Sequence, residues 1–413
     1  DGPGGLLRVR PHLKHGEDVL RAAAAIAALP GVGAAEPDMA FTGRGALVPN
    51  DPLFMSSWHL MNTSAPGIDL DVVGAWDRTM GSADVIVAVF DTGVDLDHPD
   101  LDLAPGIDTT WEATLGGAGG PMNPCDRHGT PVAGIVAGLA DNLLGAAGVA
   151  PGVRAAPIRF AISASNCSGS WSSGTTEFLA ALDYAEAIGA RVSVNSNYFG
   201  FSSGLIAGRY ADLRDGGMVH FASAGNNAAF GSTYPASLAS VNSVSAIQWN
   251  GVRASFSNYG PDVDFAAPGV SVQATDVRGA NGYSGGDYTA FNGTSAAAPA
   301  AAGVAALIVS YRPELTAAEV EDVMRQTALD LGAGGRDDQY GHGLPHAAAA
   351  LAALTPLGGC PADIVPDGQV DVSDLLGFLG AFRAQGDAAD FDGSGSVDVN
   401  DLLGFLGAFR AGC

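Results

Sequence analysis

Three short stretches hold the residues able to do covalent chemistry. The first, Phe90-Asp91-Thr92-Gly93-Val94-Asp95, closes an apolar run and is soon followed by His98-Pro99-Asp100-Leu101. The second, His128-Gly129-Thr130-Pro131-Val132-Ala133-Gly134, opens a helical stretch. The third, Phe291-Asn292-Gly293-Thr294-Ser295-Ala296-Ala297-Ala298-Pro299, turns at Asn292-Gly293 and enters a small-residue helix predicted over 296–309. Ser295 falls at that helix's N-terminus, where unpaired N–H groups and the positive dipole end favour negative charge. Pro299 is expected in or near the first turn, where a missing N–H costs little. Read alone, Ser295 is simply a helix N-cap, and only a histidine and a carboxylate elsewhere in the chain displace that reading. Acyl transfer by serine needs a base to take the hydroxyl proton and a carboxylate to hold the resulting imidazolium. An Asp at a strand end, a His at one helix start and a Ser at another supply these groups.

The elements that must position them read as alternating strands and helices. Apolar runs at 85–90, 153–160, 191–194 and 218–222 have the texture of strands buried on both faces. Helical stretches at 128–139, 175–188 and 204–213 lie between them. The alternation predicts an α/β domain with a doubly wound, mainly parallel sheet, whose ligands sit at the carboxyl ends of the strands. Asp91 follows the first run directly, and Asn226 follows the fourth through Ser223-Ala224-Gly225.

Composition narrows the function classes. Of 413 residues only 15% are charged, 44 acidic against 19 basic, for a net charge of −25. Such a surface argues against nucleic-acid binding, which needs basic patches, and suits cations and an extracellular setting. The longest near-apolar run, 296–309, is too short to span a bilayer. The sequence opens at Asp1 without a leader, which reads as a trimmed piece of a longer precursor. Four cysteines without a Cys-x-x-Cys pair argue against zinc and for two disulfides, Cys125–Cys167 and Cys360–Cys413, in a secreted protein. Rival signatures fail on their own terms. Asp91-Thr92-Gly93 has no second Asp-Thr/Ser-Gly partner. The Gly-x-Ser-x-Gly matches at 200–204 and 282–286 do not follow an apolar strand run directly into a helix.

The Asp, His and Ser motifs, in that chain order and at suitable spacing, resemble those of subtilisin-like serine peptidases, the subtilases. The resemblance covers residues 50–350 and implies that Asp91 orients the base, His128 is general base and acid, and Ser295 is the nucleophile. Asn226, in Ala224-Gly225-Asn226, matches the side-chain oxyanion donor. Residues 1–49, expected as strand 6–10, helix 17–29 and strand 32–41, resemble the end of an inhibitory prosegment, with Leu29-Pro30-Gly31-Val32 and Glu36-Pro37-Asp38. A structural Ca2+ is implied at Asp51, Asp100 and the 140–144 loop with Asn142. Three departures stand out: Pro131 where a second His is usual, Ala296 where Met is usual, and Phe199 in the substrate strand where a small residue is usual. A protein substrate follows, as does a rival reading, a catalytically silent subtilase-fold binding protein anchored through its tail.

That tail is an internal duplication. After a Pro/Gly linker at 356–359, residues 374–384 and 401–411 share the sequence DLLGFLGAFRA. The second repeat sets Asp390, Asp392, Ser394, Asp398 and Asp401 at positions 1, 3, 5, 9 and 12 of an EF-hand-type loop with Gly395 at position 6. The first offers Asp363, Asp367, Asp371 and Asp374, but Val365 occupies position 3. Each loop leads into one short Leu/Phe helix. Residues 360–413 therefore resemble a dockerin module, which implies Ca2+ and a cohesin-like partner; a calcium-stabilised terminal tag without such a partner is the alternative.

Overall fold

The computed structural model describes residues 48–113 and 117–354, Ile26, and, toward the C-terminus, 362–364, 370, 372–383, 386, 389–391 and 396–411. The chain divides into two compact units, Asp1–Gly45 and Ala46–Cys413. In the first only Ile26, in a helix, is described, so the strands expected there lie outside the described residues.

A seven-stranded parallel sheet organises the second unit. Its strands are β1 (Ile86–Asp91), β2 (Ile107–Asp108), β3 (Arg154–Arg159), β6 (Val192–Asn195), β7 (Val219–Ser223), β8 (Asn242–Ile247) and β9 (Val263–Pro268), in the order β2-β3-β1-β6-β7-β8-β9. The register sets Asp91 opposite Arg159 on one side and Phe90 opposite Asn195 on the other. Two antiparallel hairpins flank the site: β4 (Ile162–Ser163) with β5 (Trp171–Ser172), and β10 (Val272–Thr275) with β11 (Tyr288–Phe291).

Alternation along the central strands feeds two apolar layers. Val87, Val89, Val194 and Phe221 face α1 (Val72–Trp76), α2 (Gly129–Ala137), α5 (Thr294–Tyr311), α6 (Ala317–Thr327) and α7 (Ala347–Ala353). Ala88, Phe90 and Ala222 face α3 (Thr175–Ala187) and α4 (Gly204–Asp215), where Phe178, Leu182, Ile206 and Tyr210 are buried. Each such large side chain contributes about 1.5–3 kcal/mol by leaving water. The result is a doubly wound α/β body, as the four apolar runs indicate. The sequence reading missed β8 and β9, whose Asn-Ser-Val-Ser-Ala-Ile and Val-Asp-Phe-Ala-Ala-Pro segments mix polar and small residues although nearly every position is buried.

Helix α5 starts two residues earlier than expected, and every residue from Thr294 to Val309 is buried. Small side chains permit this: a Cβ on Gly303 would lie 2.5 Å from that of Val149. Pro299 is the sixth helical residue, so it sits in the second turn rather than the first. There it removes the N–H that would pair with the carbonyl of Ser295.

Near the C-terminus, α8 (Val372–Arg383) and α9 (Val399–Ala411) follow the two repeat loops. Their equivalent Phe378 and Phe405 rings stack at 4.1 Å and are fully buried.

Candidate active site

Asp91 ends β1 in the sheet's centre and is almost wholly buried. One oxygen accepts from the Thr92 amide at 2.8 Å, and Asn197 Nδ2 approaches the other at 3.3 Å while also reaching the Phe90 carbonyl. His128 is the N-cap residue of α2 rather than part of that helix. Its Nδ1 lies 2.8 Å from Asp91 Oδ2 and 3.0 Å from Oδ1. An ionised carboxylate only accepts, so Nδ1 carries the proton and Nε2 is the basic nitrogen. Burial alone pushes the imidazole pKa down. The charge and hydrogen bond of Asp91 outweigh it, and the net shift is upward. The ring packs edge-on against Phe291 at 5.4 Å.

Gly293 caps α5 with φ 116°, a left-handed conformation that favours glycine, and delivers Ser295 to the cleft one residue into the helix. Ser295 Oγ donates to the Ser196 carbonyl at 3.1 Å, while Ser196 Oγ donates to the Ser295 carbonyl at 3.0 Å. Asn226 Oδ1 accepts from the amide and hydroxyl of Thr294, at 2.8 and 3.0 Å. That pairing assigns the amide's orientation and leaves Nδ2 without a protein acceptor among the described residues. His128, Ser295 and Asn226 line one cleft of about 350 Å³, together with Arg127, Trp171 and Tyr283.

The Cys125–Cys167 disulfide expected from the sequence is formed; it lines the cleft and ties the loop before His128 to the β4–β5 hairpin. One feature of this site was not legible in the motifs. Beneath the disulfide, Arg159 is fully buried and contacts Asp108 at 2.8 Å and Asp126 and Glu112 at 3.0 Å. Its Nε also donates to the Thr92 carbonyl. Asp126 in turn accepts the amides of Met122, Asn123 and Ser163. Arg159 thus joins the residue after Asp91, the loop before His128 and the β4–β5 hairpin. Phe199, flagged as bulky, does not line the cleft. It packs into a cluster with Phe160, Trp171, Phe178 and Tyr234, and Tyr198 lines the cleft instead.

Among the residues expected to bind calcium, Asp51, Asp100 and Asn142 come together from three segments. Asp51 accepts the Asp141 amide at 2.8 Å, and Asn142 Nδ2 lies 2.7 Å from Asp100 Oδ1. Both carboxylates are buried; among the described residues Asp100 Oδ2 has no partner within strict hydrogen-bonding geometry, and the Tyr288 hydroxyl is near the Asp100 carboxylate. Burial pushes the Asp100 pKa up to about 6, opposed by the Asn142 hydrogen bond and reinforced by the Asp51 charge. A hard cation suits two buried carboxylates and an amide. Among the described residues no three His, Cys, Asp or Glu side chains form a cluster able to hold a metal. In the second repeat, buried Asp401 accepts the amides of Phe391 and Asp398 at 2.7 Å, and Asp374 is its buried counterpart in the first. Asp363 and Asp390 are described as well, whereas Asp367, Asp371, Asp392 and Ser394, like Cys360 and Cys413, lie outside the described residues.

The sheet, its flanking helices and the cleft at the carboxyl ends of the strands define a subtilisin-like α/β fold. Residues 82–343 match the model of the Subtilase family, and the chain belongs to that family. Subtilisin NAT of Bacillus subtilis subsp. natto is 36% identical over 274 residues, covering 65% of this chain and 66% of the relative. An extracellular protease of Xanthomonas campestris pv. campestris is 32% identical over 365 residues, covering 79% of this chain and 60% of the relative. The chain thus spans just under two thirds of the length of such curated relatives. A solved structure of proteases from Pseudoalteromonas arctica superposes with a TM-score of 0.64 at 30% identity, covering 74% of this chain and 99% of the other.

Proposed function

We propose that this chain is a secreted serine endopeptidase that cleaves protein substrates through an acyl-enzyme. The observation that carries the reading is the pairing of His128 Nδ1 with buried Asp91, with His128, Ser295 and Asn226 sharing one cleft. The Ser295 hydroxyl, held by the Ser196 carbonyl at rest, passes its proton to His128 Nε2 as Oγ bonds to the substrate carbonyl carbon. Asp91 stabilises the imidazolium. The oxyanion is met by Asn226 Nδ2 and the Ser295 amide, at the positive end of α5. His128 then protonates the leaving amine, and the C–N bond breaks. Water, deprotonated by the same imidazole, releases the acid and restores Ser295.

Cleavage of a denatured protein, read by mass spectrometry, tests this. Ser295→Ala abolishes it with the fold intact, and Asn226→Ala lowers turnover by roughly 10²–10³. A folded wild-type protein that hydrolyses nothing would favour the silent binding-protein reading.

Asp51, Asp100 and Asn142 would hold Ca2+, which supplies a cross-link among three loop segments. Chelator then lowers thermal stability, and Asp100→Asn shrinks that response to the part that the C-terminal repeats contribute. Residues 1–49 act as an intramolecular inhibitor, and the repeats bind Ca2+ and a cohesin-like partner. Intact mass of Ser295→Ala, which should retain residues 1–49, checks the former.

A further inference from the structure

Among the described residues the cleft has one permanent cation, Arg127, in a molecule of net charge −25. Arg127 directly precedes His128, and its guanidinium lies 4.4 Å over the ring of Tyr283, with Nη1 donating to the Gly282 carbonyl at 3.2 Å. Both residues line the same cleft as Ser295, whose lining among the described residues contains no carboxylate. Among the described residues Arg127 has no ion-pair partner, in contrast to Arg159, Arg209, Arg214 and Arg278. The neighbouring Asp91 is engaged by His128. Against a net charge of −25, a guanidinium held over Tyr283 in the same cleft as Ser295 places positive charge where the rest of the molecule is acidic.

We infer that Arg127, stacked on Tyr283, forms a subsite that selects a substrate with a Glu or Asp side chain close to the scissile bond. The inference deepens the peptidase reading and rests on it. Stacking on the aromatic face fixes the guanidinium plane, so little further ordering is needed when its edge meets a carboxylate. The same charge disfavours Lys or Arg at that substrate position, which turns a modest attraction into discrimination. A purely structural Arg127, bridging α2's approach to Gly282, would affect all substrates alike. A charge-selecting Arg127 changes their ratio.

The test uses the full chain and peptides that differ only in carrying Glu, Gln or Lys at each position within a few residues of the cleaved bond. A fluorophosphonate that labels Ser295 counts competent sites in each preparation. At one position Glu exceeds Gln by roughly five- to tenfold in kcat/KM, and Lys is the poorest of the three. In Arg127→Gln the Glu-to-Gln ratio falls to about one, and in Arg127→Glu the order turns toward Lys. High salt compresses the wild-type preference. Wild-type protein that labels and cleaves but treats Glu and Gln alike everywhere overturns the subsite, as does a Glu preference that survives in Arg127→Gln. Failure to label and to cleave overturns the peptidase reading and the subsite with it.

Discussion

Ser295 and Ser196 hold one another by reciprocal hydrogen bonds, each hydroxyl donating to the other's carbonyl at 3.0–3.1 Å. The reason lies one helical turn further on. Pro299 has no N–H, so the buried Ser295 carbonyl lacks its usual helical partner and the Ser196 hydroxyl replaces it. The proline therefore couples the backbone of Ser295 to the segment after β6 that carries Ser196, Asn197 and Tyr198.

That coupling is measurable. Ser196→Ala leaves a buried acceptor unpaired and should lower stability by about 1–3 kcal/mol. Adding Pro299→Ala supplies the missing N–H, so the double variant should be markedly more stable than the two single changes sum to. Denaturant unfolding of all four proteins reads the result. Strict additivity would mean that the two serines are neighbours without being partners.

Activity should depend on pH through His128. Its pKa is raised above 6.5, because the Asp91 charge and hydrogen bond exceed the opposing effect of burial. The base works when neutral, so kcat/KM rises with pH to a half-point above 6.5. For stability the sign is opposite. The protonated pair contributes fully below about 6.5, and that contribution is lost as pH rises through the higher folded value. Asp91→Asn removes the charge that raises the pKa and the group that fixes the tautomer. Its profile should shift to lower pH while turnover falls by about 10⁴. An unchanged half-point in Asp91→Asn would assign the titration to another group.

The Cys125–Cys167 bond closes a loop with a sequence separation of 42, worth about 4 kcal/mol if chain entropy alone acts. It also lines the cleft, so its loss is felt in two ways. Cys125→Ser/Cys167→Ser should unfold at a lower temperature and show a higher KM, because the β4–β5 hairpin is no longer tied to the loop before His128. Calorimetry and peptide kinetics separate the two effects. A less stable variant with wild-type KM would confine the bond to a structural role.

Much of the candidate site was legible because its residues mark the ends of elements that are local in sequence. Asp91, His128, Asn226 and Ser295 each sit at the end of an element whose hydrophobic pattern or turn residues announce it. Arg159 was not legible. It reads as the tail of an apolar run, and its partners Asp108, Glu112 and Asp126 lie 33–51 residues away, where only the fold brings them close. The position of Pro299 was misjudged for a similar reason. Helix propensity places proline in a first turn, and nothing local signals that Ser196 compensates for one in the second. Strands β8 and β9 escaped notice because their Ser, Asn and Asp side chains find partners inside. The Ser245 hydroxyl, for instance, donates to the Phe265 and Gln339 carbonyls.

The residue after Ser295 carries the last prediction. Ala296 is fully buried at the start of α5, next to Ser295. A methionine there would put a thioether near the oxyanion donors, and oxidation to the sulfoxide adds a polar oxygen that crowds the tetrahedral intermediate. Alanine has nothing to oxidise. Met218 and Met324 are buried at 3% and 1% exposure and should react slowly. Met55 and Met122 are exposed at 63% and 54% and should oxidise first, but neither lines the cleft. Peroxide should therefore convert those two methionines while most peptidase activity survives. Ala296→Met should make activity fall in step with formation of its own sulfoxide. The measurement is residual activity against time in peroxide, with peptide mapping to locate each added oxygen. Rapid inactivation of the wild type, with oxidation confined to Met55 and Met122 and the disulfide intact, would show that a surface methionine reaches the site by a route the cleft geometry does not reveal, and the protection assigned to Ala296 would fall.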